Sequence, residues 1–248
     1  MGLASLFRRK PKLSEFPDST IKVDFHSHIL PGIDDGAKTV EDSMQLLREL
    51  EKQGVERVIT TPHILGDLYP NNSKTIQEAL EVVLAEMKVQ DIDLELHAAA
   101  EYYIDEYFHK ILEKGEKLML FDGKSILVET NYVEKPDYLE QTVFDLKIDG
   151  YDVILAHPER YHYLIGQWGK IEKLFDTGVK FQANILSFTG HYSPMVKKTA
   201  DFLAKNNMIH FLGSDMHHIG HAQLITHFKR TERYAELVEL GVLNNELL

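Results

Sequence analysis

The chain has 248 residues, 44% hydrophobic and 27% charged, enough for one large packed domain. Its formal net charge of -12 argues against non-specific nucleic-acid binding, yet allows a local cationic site for a phosphorylated substrate. There is no cysteine, which excludes disulfides and catalysis by a cysteine nucleophile.

In chain order, the opening MGLASLFRRKPK places Arg8, Arg9 and Lys10 after a short apolar run and does not read as a signal peptide. Residues 1–20 read as a basic N-terminal extension; a weak membrane-surface contact through Leu3, Leu6 and Phe7 is the sharper but less favoured reading. No stretch approaches the roughly 18–20 apolar residues of a membrane span, so the expected compartment is the cytoplasm. A first strand is expected over Ile21–Phe25. A helix over Thr39–Gln53 follows, with Thr39-Val-Glu-Asp as a capping box and Gly54 as its stop. Strand Arg57–Thr61, helix Ser73–Val89, strand Leu94–Ala99 and a helix around Asp105–Lys114 come next. The second half repeats the rhythm. Strands are expected over Ser125–Glu129, Asp152–Ala156, Val179–Ala183 and Met208–Leu212, with helices over Pro136–Ile148, Trp168–Asp176, Pro194–Asn206 and Ala222–Leu240. Seven strands alternating with helices predict an α/β fold with a parallel sheet, as a closed barrel or a doubly wound open sheet. No glycine-rich nucleotide loop follows the first strand.

Histidines and carboxylates gather at the expected strand ends. His26 and His28 end strand one, and Asp35 lies in the loop after it. His63 follows strand two, Glu101 follows strand three, and Glu129 ends strand four. His157 follows strand five, in HPER with Arg160. Asp215 and His217 follow strand seven. In a parallel barrel these ends share one face, where βα loops build active sites. Residues two apart on a strand point to the same side, so His26 pairs with His28 and Asp215 with His217. Nine imidazole and carboxylate ligands without thiolate suit two or three divalent ions such as Mn, Fe or Zn. By contrast, His97, His109, His162, His191, His210, His221 and His227 read as ordinary surface or hydrogen-bonded histidines. His218 adjoins the last motif and stays ambiguous.

The ordered set HSH, H, E, E, H, DMH resembles the polymerase-and-histidinol-phosphatase (PHP) superfamily of metal-dependent phosphoesterases. DFHSHILPGIDDG, TPH, AEYY, LVE, LAHPERY and GSDMHH are similar to the bacterial PHP-type protein-tyrosine phosphatases of capsule and exopolysaccharide loci, the CpsB/CapC family. The resemblance spans about Ile21 to His221. It implies a single-domain, distorted (β/α)7 TIM-like barrel, the PHP fold, over residues 21–248. It also implies three metals, manganese first and iron or zinc as alternatives. His26, His28, Glu101 and Asp215 would hold one, Glu101, Glu129 and His157 a second, and Asp35, His63 and His217 a third. Arg160 would bind the substrate phosphate, which with Asp35, His63 and His217 makes the implied catalytic set. The implied partner is a phosphotyrosine protein, the tyrosine-rich tail of a bacterial tyrosine kinase. No basic residue after DMHH matches a further phosphate ligand; His218 and His221 are the nearest. Asn184 orients a ligand or phosphate, or is an ordinary buried amide. Asp24 reads as a supporting residue, and Gly36 as the residue that lets the chain turn beside Asp35.

Phosphate-monoester hydrolysis is slow in water, so the expected catalyst positions and neutralises charge. Direct attack by a metal-bridging hydroxide, without a phosphoenzyme, is the expected course. A small-molecule phosphatase of the same superfamily, such as a histidinol-phosphate phosphatase, is the first alternative. A catalytically silent PHP binding module is the second, and the complete ligand set speaks against it. A hydrolase acting on C–N bonds also uses strand-end His and Asp.

Overall fold

The computed structural model describes residues 21–247, so the N-terminal extension lies outside the described residues. Among the described residues, nine strands form two sheets in which every pairing between named strands is parallel. The first sheet orders β1 (Val23–Asp24), β2 (Arg57–Thr60) and β4 (Glu95–Ala98). The second orders β3 (His63–Ile64), β5 (Glu101–Tyr103), β6 (Ser125–Glu129), β7 (Asp152–Ala156), β8 (Lys180–Asn184) and β9 (Phe211–Gly213).

The expected seven strands become nine because two of them, paired with each other, are interrupted. Pro62 has no N–H to donate, and the chain breaks there between β2 and β3. Its pairing partner breaks alongside, at Ala99 and Ala100, between β4 and β5. Register is kept across the gap: Thr60 pairs with Ala98 before it and His63 with Glu101 after it. The Glu101 N–H donates to the Pro62 carbonyl at 3.1 Å, which ties the two interruptions together.

Helices α1 (Val40–Lys52), α2 (Ser73–Val89), α3 (Glu106–Glu113), α4 (Leu139–Ile148), α5 (Trp168–Phe175) and α6 (Pro194–Lys205) lie within a few residues of their predicted ranges. The Thr39 capping box forms: Thr39 Oγ1 accepts from Asp42 N at 3.2 Å, and Asp42 Oδ2 accepts from Thr39 N at 3.0 Å. The expected single closing helix is two, α7 (Ile219–Phe228) and α8 (Glu232–Val238). Thr231 separates them, because its hydroxyl donates to Phe228 O and its side chain caps α8 at Tyr234 N.

The strands bury apolar residues on both faces. Ile126, Val128, Val153 and Leu155 join the large cluster built with the helices. Val23, Phe25, Leu127, Ile154 and Phe211 form a separate cluster, with Phe25 packed on Phe121 and Phe211. Asn244, in a short 3-10 helix over Leu243–Leu247, closes the amino ends of β1 and β9. Its amide donates to Val23 O at 3.0 Å and Leu212 O at 2.7 Å.

Candidate metal centre

Beyond β1 the chain runs on through His26-Ser27-His28, beside the segment that leaves β9. Asp215 N donates to His26 O at 2.8 Å, His28 N donates to Met216 O at 3.0 Å, and Ser27 bridges Met216 in parallel. Alternation then sends His26, His28, Asp215 and His217 into one space, as the spacing predicts. His63 in β3, Glu101 in β5, Glu129 at the end of β6 and His157 after β7 enter the same space. Two of these positions are held in the left-handed region, His157 at φ 34° and Asp215 at φ 47°. Non-glycine residues there cost on the order of 1–3 kcal/mol each, a strain typical of functional sites.

All nine sequence-predicted ligands are brought together. His28, Asp35, His63 and His217 each offer an atom within 4.8 Å of the others, as do His26, His28 and Glu101, and His63, Glu101 and Glu129. Glu101 sits at the centre, with His26 Nε2 at 3.1 Å, His157 Nε2 at 3.2 Å, His63 Nδ1 at 3.3 Å and His28 Nε2 at 3.4 Å. Asp215 Oδ1 lies 3.5 Å from His26 Nε2 and 3.4 Å from His28 Nε2. The groups differ at their edges from those the resemblance implied. His28 joins Asp35, His63 and His217, and His63 stands closer to Glu129 (2.9 Å) than His157 does (3.8 Å).

Buried neighbours fix the imidazoles. Gln182 Oε1 accepts the His157 backbone N–H at 3.2 Å, which identifies it as the oxygen. His26 Nδ1, 2.8 Å from that oxygen, therefore carries the hydrogen, and Nε2 turns its lone pair toward Glu101 and Asp215. Asp34 does the same for His28, whose Nδ1 lies 2.8 Å from Asp34 Oδ2. His217 Nδ1 faces its acceptor, the Asp215 carbonyl, at 3.0 Å. Asn184 Nδ2 donates to Asp215 Oδ2 at 2.5 Å, so its amide orients a proposed ligand. Asp24 instead binds Ser214 through both carboxylate oxygens, at 3.0 and 2.7 Å, and fixes the segment that carries Asp215.

Of the adjacent carboxylates, buried Asp34 orients and exposed Asp35 faces the pocket. Gly36 is required for a reason other than its expected turn. Its φ is not positive; a Cβ there would lie 2.1 Å from the His28 carbonyl oxygen and 2.4 Å from His28 Cβ. The missing side chain lets the loop close onto His28, a candidate ligand.

The electrostatics fit a cationic occupant. Lone pairs on neutral imidazoles facing carboxylates repel unless positive charge lies between them. Where no ion supplies that charge, the imidazoles take it up as protons: burial would raise the Glu101 carboxyl, but protonated His26 and His63 outweigh it and hold it well below the usual range. Burial would likewise lower His63, but Glu129 and Glu101 push it up to about 9. His28 Nε2 and His63 Nδ1 are buried with no hydrogen-bond partner. Imidazole and carboxylate donors without thiolate suit hard or intermediate divalent ions.

The cluster opens into a cavity of about 640 Å³ lined also by Arg160, Tyr132, Tyr69, Tyr103 and Leu68. Arg160 Nη1 donates to Asp215 Oδ2 at 2.6 Å. Its guanidinium carbon lies 4.2 Å from the Tyr192 ring centre and 4.9 Å from that of Tyr132, within cation–π range. Tyr132 also stacks on His157, with ring centres 5.5 Å apart. Sequence reasoning missed Gln182, Tyr132 and Tyr192, which carry no motif of their own.

His218 and His221 do not line this cavity. Burial, with His218 and His217 adding to it, lowers His221 to about 4, so it is neutral near pH 7. Other histidines are spent elsewhere: His97 pairs with Glu95, His109 meets Thr142, and His210 accepts the Phe181 N–H.

The profile of the family described as "Capsular polysaccharide synthesis, CpsB/CapC" matches residues 22–238. The chain belongs to the CpsB/CapC family. It is 32% identical over 230 residues to the tyrosine-protein phosphatase YwqE of Bacillus subtilis (strain 168), covering 91% of each chain. It is 29% identical over 202 residues to the tyrosine-protein phosphatase CpsB of Streptococcus pneumoniae, covering 79% of this chain and 83% of that one. A solved structure from work on YwqE and CpsB, described as unique metal-dependent tyrosine phosphatases, superposes with a TM-score of 0.77 at 30% identity. That match covers 88% of this chain and 90% of the other. The nine clustered candidate residues all lie within the matched part of this CpsB/CapC chain.

Proposed function

We propose that the protein is a metal-dependent protein-tyrosine phosphatase. The observation that carries this reading is Glu101, buried among four histidines, with Arg160 on the wall of the same cavity. Family membership and the tyrosine-phosphatase relatives support it. Residues 21–248 form the phosphatase domain, after the basic extension 1–20. Its sheet is a distorted seven-stranded barrel, a reading supported by the Ser27–Met216 bridge and by separate apolar clusters on the two faces of the strands.

Three ions, manganese first, would be held by His26, His28, Glu101 and Asp215; by Glu101, Glu129 and His157, with His63 close by; and by Asp35, His63 and His217. When bound, such ions supply the charge that acidifies water and neutralises phosphate oxygens. The chain's residues do the rest. Gln182, Asp34 and the Asp215 carbonyl hold His26, His28 and His217 in one tautomer. Arg160 offers a planar pair of donors to phosphate, held near the cluster by Asp215, Tyr132 and Tyr192. A tyrosine leaves with a pKa of about 10, well below that of an alkyl alcohol, so protonation of the leaving group demands less of the site. Hydrolysis proceeds by direct attack of water on phosphorus, with no phosphorylated side chain.

The substrate is a phosphotyrosine protein, and the family's link to capsular polysaccharide points to the tyrosine-rich tail of a bacterial tyrosine kinase in that system. Among the described residues no helix is long and apolar enough to cross a membrane. The protein would meet that tail in the cytoplasm. The deciding experiment compares Mn-dependent phosphate release from phosphotyrosine peptides and from histidinol phosphate. Faster release from the peptides is expected; preference for histidinol phosphate would replace this reading with the small-molecule one.

A further inference from the structure

We propose that the loop Leu65–Tyr69 is the wall that seats the aromatic ring of the substrate, and that Leu68 sets a preference for aryl over alkyl phosphate esters. This deepens the phosphatase reading above and rests on it. The loop follows β3 and is pinned at several points. Leu65 N donates to Tyr69 O at 3.0 Å and Tyr69 N returns a bond to Leu65 O at 2.8 Å. Gly66 N donates to Asp105 Oδ2 at 3.1 Å, while the other Asp105 oxygen caps α3 at Phe108 N. Gly66 sits so close to α3 that a Cβ would lie 2.6 Å from Tyr107 Cβ. Asn71, just beyond, donates to His63 O at 2.9 Å and Ile33 O at 2.7 Å.

This backbone nevertheless presents Leu68 with 68% of its surface exposed, on the wall of the cavity that holds the ligand cluster. Isolated surface leucines are ordinary, but this one lines a cavity together with two aromatic residues, Tyr69 and Tyr103. The Tyr69 ring lies nearly parallel to the His63 imidazole, with centres 5.8 Å apart and 13° between planes. His63 in turn faces Glu101 and Glu129. A phosphate at the cluster therefore leaves its ester group beside Tyr69 and Leu68. A phenyl ring fills that space and buries apolar area there, while a methyl or serine carbon presents too little surface to meet the leucine.

The test is calorimetric titration of the Mn-loaded protein with phenylphosphonate and methylphosphonate, in wild type and Leu68→Ala. Wild type should bind phenylphosphonate more tightly, and Leu68→Ala should lose about tenfold of that preference, the scale on which small apolar contacts discriminate. Leu68→Phe should restore it. A preference that moves by less than about twofold, or affinities for both ligands that fall together, would overturn the proposal. Wild-type turnover of a phosphotyrosine peptide judges the underlying function separately. Turnover with an unmoved preference sinks the wall alone, whereas no turnover and no binding of either phosphonate sinks both.

Discussion

Replacing Gln182 with leucine tests whether the amide behind the cluster governs it. Gln182 is fully buried and bonded three ways: it accepts from His26 Nδ1 and His157 N and donates to Asn184 Oδ1, at 2.8, 3.2 and 2.9 Å. Gln182→Leu leaves two buried N–H donors and one acceptor without partners. Each such group costs about 1–3 kcal/mol, and partial relaxation brings the expected loss to about 3 kcal/mol. For a domain of this length that lowers the melting temperature by about 6–12 °C. The more specific effect is on metal. Without the acceptor, His26 is free to rotate or to change tautomer, and loss of such a support typically costs about 10–100-fold in metal affinity. Thermal unfolding in EDTA measures the first quantity, and calorimetric titration with Mn2+ the second. A variant that melts lower but binds Mn2+ like wild type would refute the tautomer argument and leave Gln182 a packing residue.

Arg160→Ala should lower kcat/KM on a phosphotyrosine peptide about 100-fold, the scale of one lost transition-state donor. Metal content, read by elemental analysis, should stay near wild type, because Asn184 still holds Asp215. Gly36→Ala should displace His28, since its Cβ would lie 2.1 Å from that residue's carbonyl oxygen. A loss of about 1–3 kcal/mol in urea unfolding, with reduced bound Mn2+, is expected. Buried Lys229 has its pKa lowered to about 8 by desolvation, which Asp24 only partly offsets. Its folded value lies below the unfolded value of about 10.4, so between those limits the unfolded chain binds more protons and stability rises with pH. Lys229→Met should remove that rise, up to about 3 kcal/mol, in urea unfolding followed from pH 7.5 to about 10.5.

How much was legible differs from residue to residue. His26 and His28, like Asp215 and His217, could be paired from spacing alone, because strand periodicity puts residues two apart on one side. Asp34 stood beside Asp35 in plain sight, yet nothing local says which carboxylate turns inward. That was decided by the loop closing over Gly36, which brings Asp34 to His28 Nδ1 and leaves Asp35 in the cavity. Gln182 was illegible because its partners lie 156 and 25 residues away. The break at Pro62 could be suspected from a missing N–H; its echo at Ala99 and Ala100 follows only from pairing.

The sequence by itself determined the alternation of strands and helices and the candidate ligand types waiting at the strand ends. These are local properties of periodicity, capping and donor chemistry. Tertiary structure alone decided that Glu101 stands among four histidines, that Arg160 leans on Tyr132 and Tyr192, and which buried amide or carboxylate holds each imidazole. Those contacts join residues remote in the chain, and they exist only once the parallel strands have packed side by side and brought their carboxyl ends to one place.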